Sequence, residues 1–357
     1  MIRFRHTSRI FCVMTLALLL AGCEMGYYFQ AASGQWELSR RSEPVAEVLD
    51  DPEAPELLKQ RLLLAQQALD FASLELGLSA GDSYSRYADI ERPYVVWNVF
   101  AAPELSLEPV SWCFPIAGCV NYRGYFSESA AREYAADLSA QGNDVYVGGV
   151  TAYSTLGRLR DPLLNTMMVL DDAEFVGLLF HELAHRRVYV ADDTAFNEGF
   201  ASAVEAIGVQ RWLARKGTPE QQEQWLARKN LRAQALGILA TVKADLDIVY
   251  QGDADFAAQH AAKVLVFAEA REVFARQVED TPELAAYAPW FDSYLNNALL
   301  VAVGSYEDTQ PLFQAIFVRS NDNLEAFYAR VEELAELGSD IRAQRMQELL
   351  SSTGPAQ

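Results

Sequence analysis

The sequence predicts an α+β protein that is mostly helical and has a small mixed or antiparallel sheet before a helix carrying His-Glu-x-x-His. Segments rich in β-branched and aromatic residues are confined to residues 94–155. A single helical segment interrupts them, which argues against a doubly wound parallel sheet. After Pro162 the apolar residues recur at helical spacing to the end of the chain.

The composition is that of a folded protein. The chain has 357 residues, of which 51% are hydrophobic and 11% aromatic. This length fits one large domain or two modest ones, and the apolar content is too high for a disordered chain.

The N-terminus has the pattern of a secretory signal. Three arginines within residues 1–9 precede an apolar run over residues 10–20, and small residues follow it. The apolar run is too short to span a bilayer, and its flanks are those of a cleaved signal. We therefore predict that residues 1–22 are a signal peptide.

The segment Leu20-Ala21-Gly22-Cys23 resembles the lipobox of bacterial lipoproteins, in which cleavage precedes a cysteine that is then acylated. The resemblance implies that Cys23 is lipidated and anchors the chain in the bacterial cell envelope, facing the periplasm. Glu24 differs from the aspartate that resembles an inner-membrane retention signal, which favours the outer membrane. Residues 23–51 are predicted to be a lipidated N-terminus and polar tether, interrupted by Pro44.

The net charge bears on the partners. Removal of residues 1–22 deletes three arginines and no acid, so the net charge changes from −20 to −23. Such an acidic protein is a poor ligand for nucleic acid or for anionic lipid. The membrane contact is expected through acylated Cys23.

The cysteine count predicts one disulfide. Cys12 leaves with the signal and Cys23 carries the lipid, so Cys113 and Cys119 remain in an oxidising compartment. Pro115 and Gly118 allow a tight loop between them. The alternative is a pair of buried free thiols.

The secondary structure follows from local patterns. Leucines at helical spacing after Pro55 predict a first helix, and Ser127 is a candidate N-cap for a second. Strands are predicted at 94–100, 104–112, 120–126 and 144–155, and helices at 127–142, 255–277, 282–302, 310–318 and 321–350. A capping box at Thr218 begins another helix.

The segment with the clearest chemistry is His181-Glu182-Leu183-Ala184-His185. At about 100° per residue, His181 and His185 lie on one helical face a single turn apart, so both imidazoles can reach one metal ion. Glu182 is rotated by one residue and is placed to act on a metal-bound water. Val188 and Ala191 stand where metzincin spacing requires Gly and His, which excludes that class.

A third ligand is expected from the following helix, which begins at Asp193 or Thr194. Glu198, Ser202 and Glu205 share one face of it. One carboxylate can bind the metal while its neighbour orients a histidine.

Together with Asn197-Glu198-Gly199-Phe200-Ala201, this segment resembles the gluzincin metallopeptidases and, more closely, a bacterial family of aminopeptidase-like lipoproteins. The resemblance implies a zincin-like fold over residues 52–357, with subregions at 52–160 (helix and sheet), 161–215 (zinc-binding helices) and 216–357 (helical). It makes His181, His185 and Glu198 the ligands of one Zn²⁺ ion, Glu182 the general base and a peptide the substrate. Twelve residues separate His185 from Glu198, fewer than in the best-known gluzincins, and Glu205 is the alternative ligand because it lies at the longer spacing.

A substrate-binding segment is predicted at Gly148, Gly149 and Tyr153. The glycines would let a peptide approach the strand closely, and Tyr153 could donate to a developing oxyanion. The alternative is a glycine bulge with a core tyrosine. Asn121, Tyr122 and Arg123 also suit substrate binding, although a single arginine among strand aromatics more often lies on the surface.

Three functions remain open from the residues alone. The first is a zinc aminopeptidase, and the second is a zinc endopeptidase or other amide hydrolase. The third is a non-catalytic helical scaffold with a structural metal site; Glu182 argues against it, since a structural site has no use for a base.

Overall fold

The computed structural model describes residues 25–114, 118–307 and 309–351. The predicted α+β class is confirmed: helices dominate, and the strands all precede the His-Glu-x-x-His helix. The predicted signal peptide at residues 1–22 and the predicted lipidation site Cys23 lie outside the described residues. Within the described residues, we find no helix with the length and apolarity needed to cross a bilayer.

The strands form three small sheets instead of one. The strands are β1 (Glu43–Pro44), β2 (Arg86–Ala88), β3 (Val96–Pro103), β4 (Trp112–Phe114), β5 (Gly118–Val120), β6 (Arg123–Tyr125), β7 (Asn143–Val150) and β8 (Leu163–Leu164). The sheet β1-β2-β8 is mixed, the sheet β6-β3-β7 is antiparallel, and β4 and β5 form a hairpin. Strand β3 is buried along almost its whole length, which matches its continuous apolar sequence.

From residue 165 onward the helices follow one another with short connections. The helices of the described chain are α1 (25–41), α2 (Val45–Asp50), α3 (Glu56–Glu75), α4 (Glu128–Ala140), α5 (Asn165–Met168), α6 (Asp172–Arg187), α7 (Thr194–Lys216), α8 (Pro219–Gln251), α9 (Phe256–Asp280), α10 (Ala288–Asp292), α11 (Asn297–Glu307), α12 (Gln310–Arg319), α13 (Leu324–Ala335) and α14 (Ser339–Ser351). Helix α4 has the predicted Ser127 cap, and α8 has the predicted capping box at Thr218.

The largest core surrounds α6 and α7. Phe175, Phe180, Phe196 and Phe200 on these helices are fully buried, together with side chains from α3, α12 and α13. A second core lies between α8, α9 and the segment that follows them. Helices α6 and α7, which carry the predicted metal ligands, are therefore held at the centre of the larger core.

Several predictions from the sequence are corrected by the structure. Residues 25–51, expected to be a tether, form α1, β1 and α2 and pack on the core through Leu38, Val45 and Val48. Most of the predicted strand at 104–112 is turn and loop. The predicted helices at 282–302 and 321–350 are each interrupted, at 293–296 and 336–338.

The hairpin β4–β5 carries a disulfide between Cys113 and Cys119, which are paired across the two strands. The hairpin is also tied to the segment before α7, because the Cys119 amide donates to Asp192 Oδ1 at 2.6 Å. The disulfide therefore stabilises a hairpin that contacts the connection between α6 and α7.

Candidate metal centre

Helix α6 begins at a strong cap. Asp171 Oδ1 accepts hydrogen bonds from the amides of Ala173 and Glu174 at 2.9 and 3.1 Å. Acidic residues at this end and three basic residues in the last turn suit the helix dipole. The helix is therefore regular through the turn that carries His181 and His185.

The start of helix α7 is fixed by Asp193, which caps the helix and forms an ion pair with Arg342. Asp193 Oδ1 accepts from the Phe196 amide at 3.0 Å, and Asp193 Oδ2 accepts from Arg342 Nε at 2.8 Å. Arg342 is 4% exposed, so the ion pair is largely shielded from solvent. The first turn of α7, which carries Glu198, is thereby anchored to α14.

The connection between the two helices is closed by Asn197. Its side chain accepts from the Val190 amide at 2.8 Å and donates to the Val190 carbonyl at 2.7 Å. Asn197 is 3% exposed. These two bonds fix the short loop and so set the distance from His185 to Glu198.

Glycines allow α6 and α7 to approach closely. A Cβ atom at Gly177 would lie 2.9 Å from Val209 and 3.2 Å from the side chain of Glu205. A Cβ at Gly208 would lie 2.5 Å from Phe180. The absence of these side chains brings the carboxylates of α7 within reach of the histidines of α6.

The two histidines and Glu198 form one compact donor group. The two Nε2 atoms are 3.2 Å apart, and Glu198 Oε2 lies 3.3 Å from His181 Nε2 and 3.7 Å from His185 Nε2. Zinc bonds of about 2.0–2.1 Å in a tetrahedron give donor separations of about 3.3–3.4 Å. The three side chains are buried, and their donor atoms could hold one metal ion.

Glu205 contacts the far side of His181. Its Oε2 lies 3.1 Å from His181 Nδ1. An Nδ1–H that donates to Glu205 leaves the Nε2 lone pair directed at the donor group. The structure therefore places Glu198 among the candidate ligands and Glu205 behind one of them. His185 Nδ1 is buried and has no such partner among the described residues.

The ionisation of Glu198 and that of the neighbouring histidines depend on each other. Burial opposes ionisation of Glu198, but the neighbouring imidazoles outweigh it and lower the pKa of Glu198 to about 2. Burial also opposes protonation of His181, yet Glu198 and Glu205 raise its pKa well above the ordinary value. The pocket thus favours a positive charge between these carboxylates, and a divalent cation satisfies the same requirement.

Glu182 lies beside the donor group and faces a cavity. Burial raises the pKa of Glu182, while His181 and His185 act in the opposite direction. No hydrogen bond from a described residue holds its carboxylate. A carboxylate with a raised pKa and free access to the cavity is suited to exchange protons.

The cavity in front of the metal centre has a volume of about 810 Å³. His181, Glu182, His185 and Glu198 lie in its wall. Much of the remaining wall is aromatic or aliphatic, with Tyr27, Tyr28, Val96, Phe114, Val120, Tyr122, Phe126, Leu156, Leu159 and Tyr189 among the lining residues. Its size and character are those of a site for a small organic ligand or a peptide segment.

The substrate-binding role of Gly148 and Gly149 stays a prediction. Both glycines lie in β7, which pairs with β3 and is an edge strand of its sheet among the described residues, and neither is among the residues that line the cavity. Tyrosine rings lie against the faces of the strand here: a Cβ at Gly149 would overlap Tyr94, and one at Gly148 would lie 3.2 Å from Tyr146. Tyr153 does line the cavity, where its ring packs against Phe126 at 5.2 Å.

Tyr122 and Tyr189 line the same cavity as the candidate ligands. Burial, followed by the charge of Glu198, raises the pKa of both Tyr122 and Tyr189. For Tyr153, burial and then the charge of Asp161 raise the pKa, and Asp161 is not among the residues that line the cavity. The sequence analysis named Tyr122 as suited to substrate binding, but no local pattern connected it to α6.

Two further residues that the sequence draws attention to, Arg123 and His260, lie apart from the candidate ligands. Arg123 is buried, not on the surface, with its guanidinium 4.1 Å from the ring centre of Tyr27. His260 lies half exposed on α9, with Nε2 3.0 Å from Glu104 Oε1. It takes no part in the donor group.

Comparison with known proteins gives one assignment. Neither the curated proteins nor the solved structures include a match to this chain. A family model with the description "Putative aminopeptidase" matches residues 26–346, which include α1, the metal centre and α13. The chain belongs to this family of aminopeptidase-like proteins.

Proposed function

We propose that the protein is a zinc-dependent peptide hydrolase, with Glu182 as its general base. The observation that carries the proposal is the buried group of His181, His185 and Glu198, with Glu182 in the wall of the same cavity. Membership of an aminopeptidase family supports peptide hydrolysis. Two imidazoles and one carboxylate in near-tetrahedral spacing suit zinc well.

The side chains divide the chemistry between them. His181, His185 and Glu198 would hold the ion, which when bound supplies a Lewis acid for the scissile carbonyl. Glu182 takes a proton from the attacking water and delivers it to the leaving amine. Glu205 holds His181 in the tautomer that presents Nε2.

A pair of variants tests the proposal. Glu182→Gln keeps the shape of the side chain and the three ligands, so we expect full zinc content and a loss of at least about a hundredfold in kcat. Glu174→Gln, on the same helix but 49% exposed in its side chain, is the matched control and should retain activity. Full turnover by Glu182→Gln would exclude its role as the base.

The aminopeptidase assignment has a separate test. Amino-acid arylamides should be cleaved and amino-blocked peptides should not, because an aminopeptidase requires a free amine. One observation favours an endopeptidase as the second candidate: among the described residues that line the cavity, Glu182 and Glu198 are the acidic ones, and both are used by the zinc chemistry. Cleavage of blocked peptides alone would select that second candidate.

We also propose that the mature chain is anchored in the bacterial cell envelope through acylated Cys23, facing the periplasm, with the outer membrane favoured. The lipobox-like Leu20-Ala21-Gly22-Cys23 supports this. Mass spectrometry of the N-terminal peptide should show the acyl groups, and Cys23→Ser should weaken membrane binding strongly. An unmodified Cys23 would exclude the anchor.

A further inference from the structure

Helix α1 exposes an apolar stripe. Met25 is 68% exposed, Phe29 78% and Trp36 65%. At about 100° per residue, these three positions lie within an arc of roughly 40° on one side of the helix. The guanidinium of Arg40 covers the Trp36 ring at 5.3 Å, so an arginine borders the same stripe.

The other side of α1 is fixed to the body, so the stripe cannot turn inward. Gln30 donates to the Gly124 carbonyl at 3.3 Å and accepts from the Phe126 amide at 3.0 Å, which pairs the helix with β6. A Cβ at Gly34 would overlap the Phe126 ring, and Leu38 is 1% exposed. The outward direction of Phe29 and Trp36 is therefore built into the fold.

The position of the stripe in the chain identifies what covers it. Met25 follows Cys23 by two residues, and two peptide units span at most about 7–8 Å. An acyl chain on Cys23 enters the bilayer, so the first turn of α1 must lie at the bilayer surface. Because the connection from Cys23 to Met25 is this short, the apolar stripe lies beside the acyl-chain region of the bilayer.

The chemistry of the stripe suits a lipid surface. Aromatic side chains are favoured at the boundary between acyl chains and headgroups, and arginine beside them keeps its charge in the headgroup layer. Glu37 points away from the stripe and pairs with Arg41 and Arg92. Since the stripe contains no acid, it needs no anionic lipid, which the acidic body would repel.

We propose that the outer face of α1 lies in the surface of the lipid bilayer as an in-plane helix. This rests on the proposed acylation of Cys23 and goes beyond it, because the body itself then has a fixed orientation on the membrane. The inner side of the same helix lines the cavity through Tyr27, Ala31 and Gln35. Tyr28 and Leu159, 41% and 50% exposed, share the cavity wall, so the cavity opens beside the membrane surface.

Fluorescence quenching tests the orientation. The mature acylated protein is placed in phosphatidylcholine vesicles whose acyl chains are brominated, and tryptophan quenching is compared with that of Trp36→Phe. We expect Trp36→Phe to lose most of the quenching. Trp225→Phe is the matched control, since Trp225 is also partly exposed with a cation over its ring, Lys229 at 5.4 Å, and lies on α8. Vesicle-bound protein with no quenching due to Trp36 would overturn the inference and leave the anchor intact.

A second measurement does not depend on the anchor. The Cys23→Ser chain, which carries no lipid, should still bind phosphatidylcholine vesicles weakly, and Phe29→Ser with Trp36→Ser should reduce its partition coefficient by roughly tenfold or more. Equal partitioning of the two chains would overturn the inference. Self-association in the absence of vesicles that these two changes abolish, together with no vesicle binding, would assign the stripe to a second copy of the chain instead.

Discussion

Glu198 and Glu205 should respond to substitution in different ways, because they contact opposite sides of His181. Glu198 Oε2 lies at the Nε2 atoms of both histidines, whereas Glu205 Oε2 lies 3.1 Å from His181 Nδ1. Loss of a group that orients a ligand costs about tenfold to a hundredfold in metal affinity. The Glu205 side chain is 40% exposed, so solvent can replace it in part. We therefore expect Glu205→Ala to lower the affinity for zinc by about tenfold, which corresponds to ~1.4 kcal/mol of binding free energy.

The assay is a zinc titration in competition with a chromophoric chelator, with metal content measured on the same samples. Glu205→Ala should bind one zinc ion with the weakened affinity. The zinc affinity of Glu205→Gln should be closer to that of the wild type, because the amide oxygen of Gln can still accept a hydrogen bond from His181 Nδ1–H. Glu198→Ala should lose stoichiometric zinc. The reverse order, with Glu198→Ala retaining zinc and Glu205→Ala losing it, would refute the ligand assignment. Circular dichroism of each variant checks that the fold is retained.

Three further predictions follow from the same geometry. Gly177→Ala forces a Cβ to 2.9 Å from Val209, so we expect the free energy of unfolding in urea to fall by about 1–3 kcal/mol. The control is Gly237→Ala on α8, where the added Cβ meets no atom within 4 Å, and its free energy of unfolding should rise by up to about 1 kcal/mol. Tyr122 lines the cavity, and the charge of Glu198 contributes to the raised pKa of its hydroxyl. We therefore expect Tyr122→Phe to lower kcat by at least about tenfold with zinc content unchanged, and Tyr153→Phe to have the smaller effect. Equal losses in kcat would contradict a catalytic contribution specific to Tyr122. In the metal-free chain, where the pKa of His181 is raised, the stabilisation from its charge is present in full below pH 6.5 and is lost as pH rises through the folded pKa. Melting temperatures in chelator should therefore fall at alkaline pH relative to His181→Phe, and a parallel pH dependence of the two proteins would exclude this contribution.

Local patterns in the sequence predicted the features that depend on a few neighbouring residues. The helix with His181 and His185 and the caps at Ser127 and Thr218 are of this kind. The predicted tether failed because the contacts that hold α1, such as Gln30 with Phe126, join residues 96 positions apart. A polar segment with a single proline offers no sign of such a partner.

In the candidate site too, some features follow from the local sequence and others depend on contacts between distant residues. The face shared by Glu198, Ser202 and Glu205 is a local property, but the choice between the two glutamates depends on how α6 crosses α7. That crossing is set by Gly177 and Gly208 against side chains of the opposite helix, which no spacing along the chain reveals. The glycines of β7 are a third case, because the sequence does not show that tyrosine rings lie against the faces of this strand.

The amide of Asn197 makes the connection between the ligand helices a closed loop of fixed length. Inserted residues between Val190 and Asn197 would have to break both hydrogen bonds to the Val190 backbone. A genome search that demands the longer gap between histidine and glutamate would therefore pass over proteins built like this one. A pattern that requires His-Glu-x-x-His, a short gap and Asn-Glu-Gly would retrieve them.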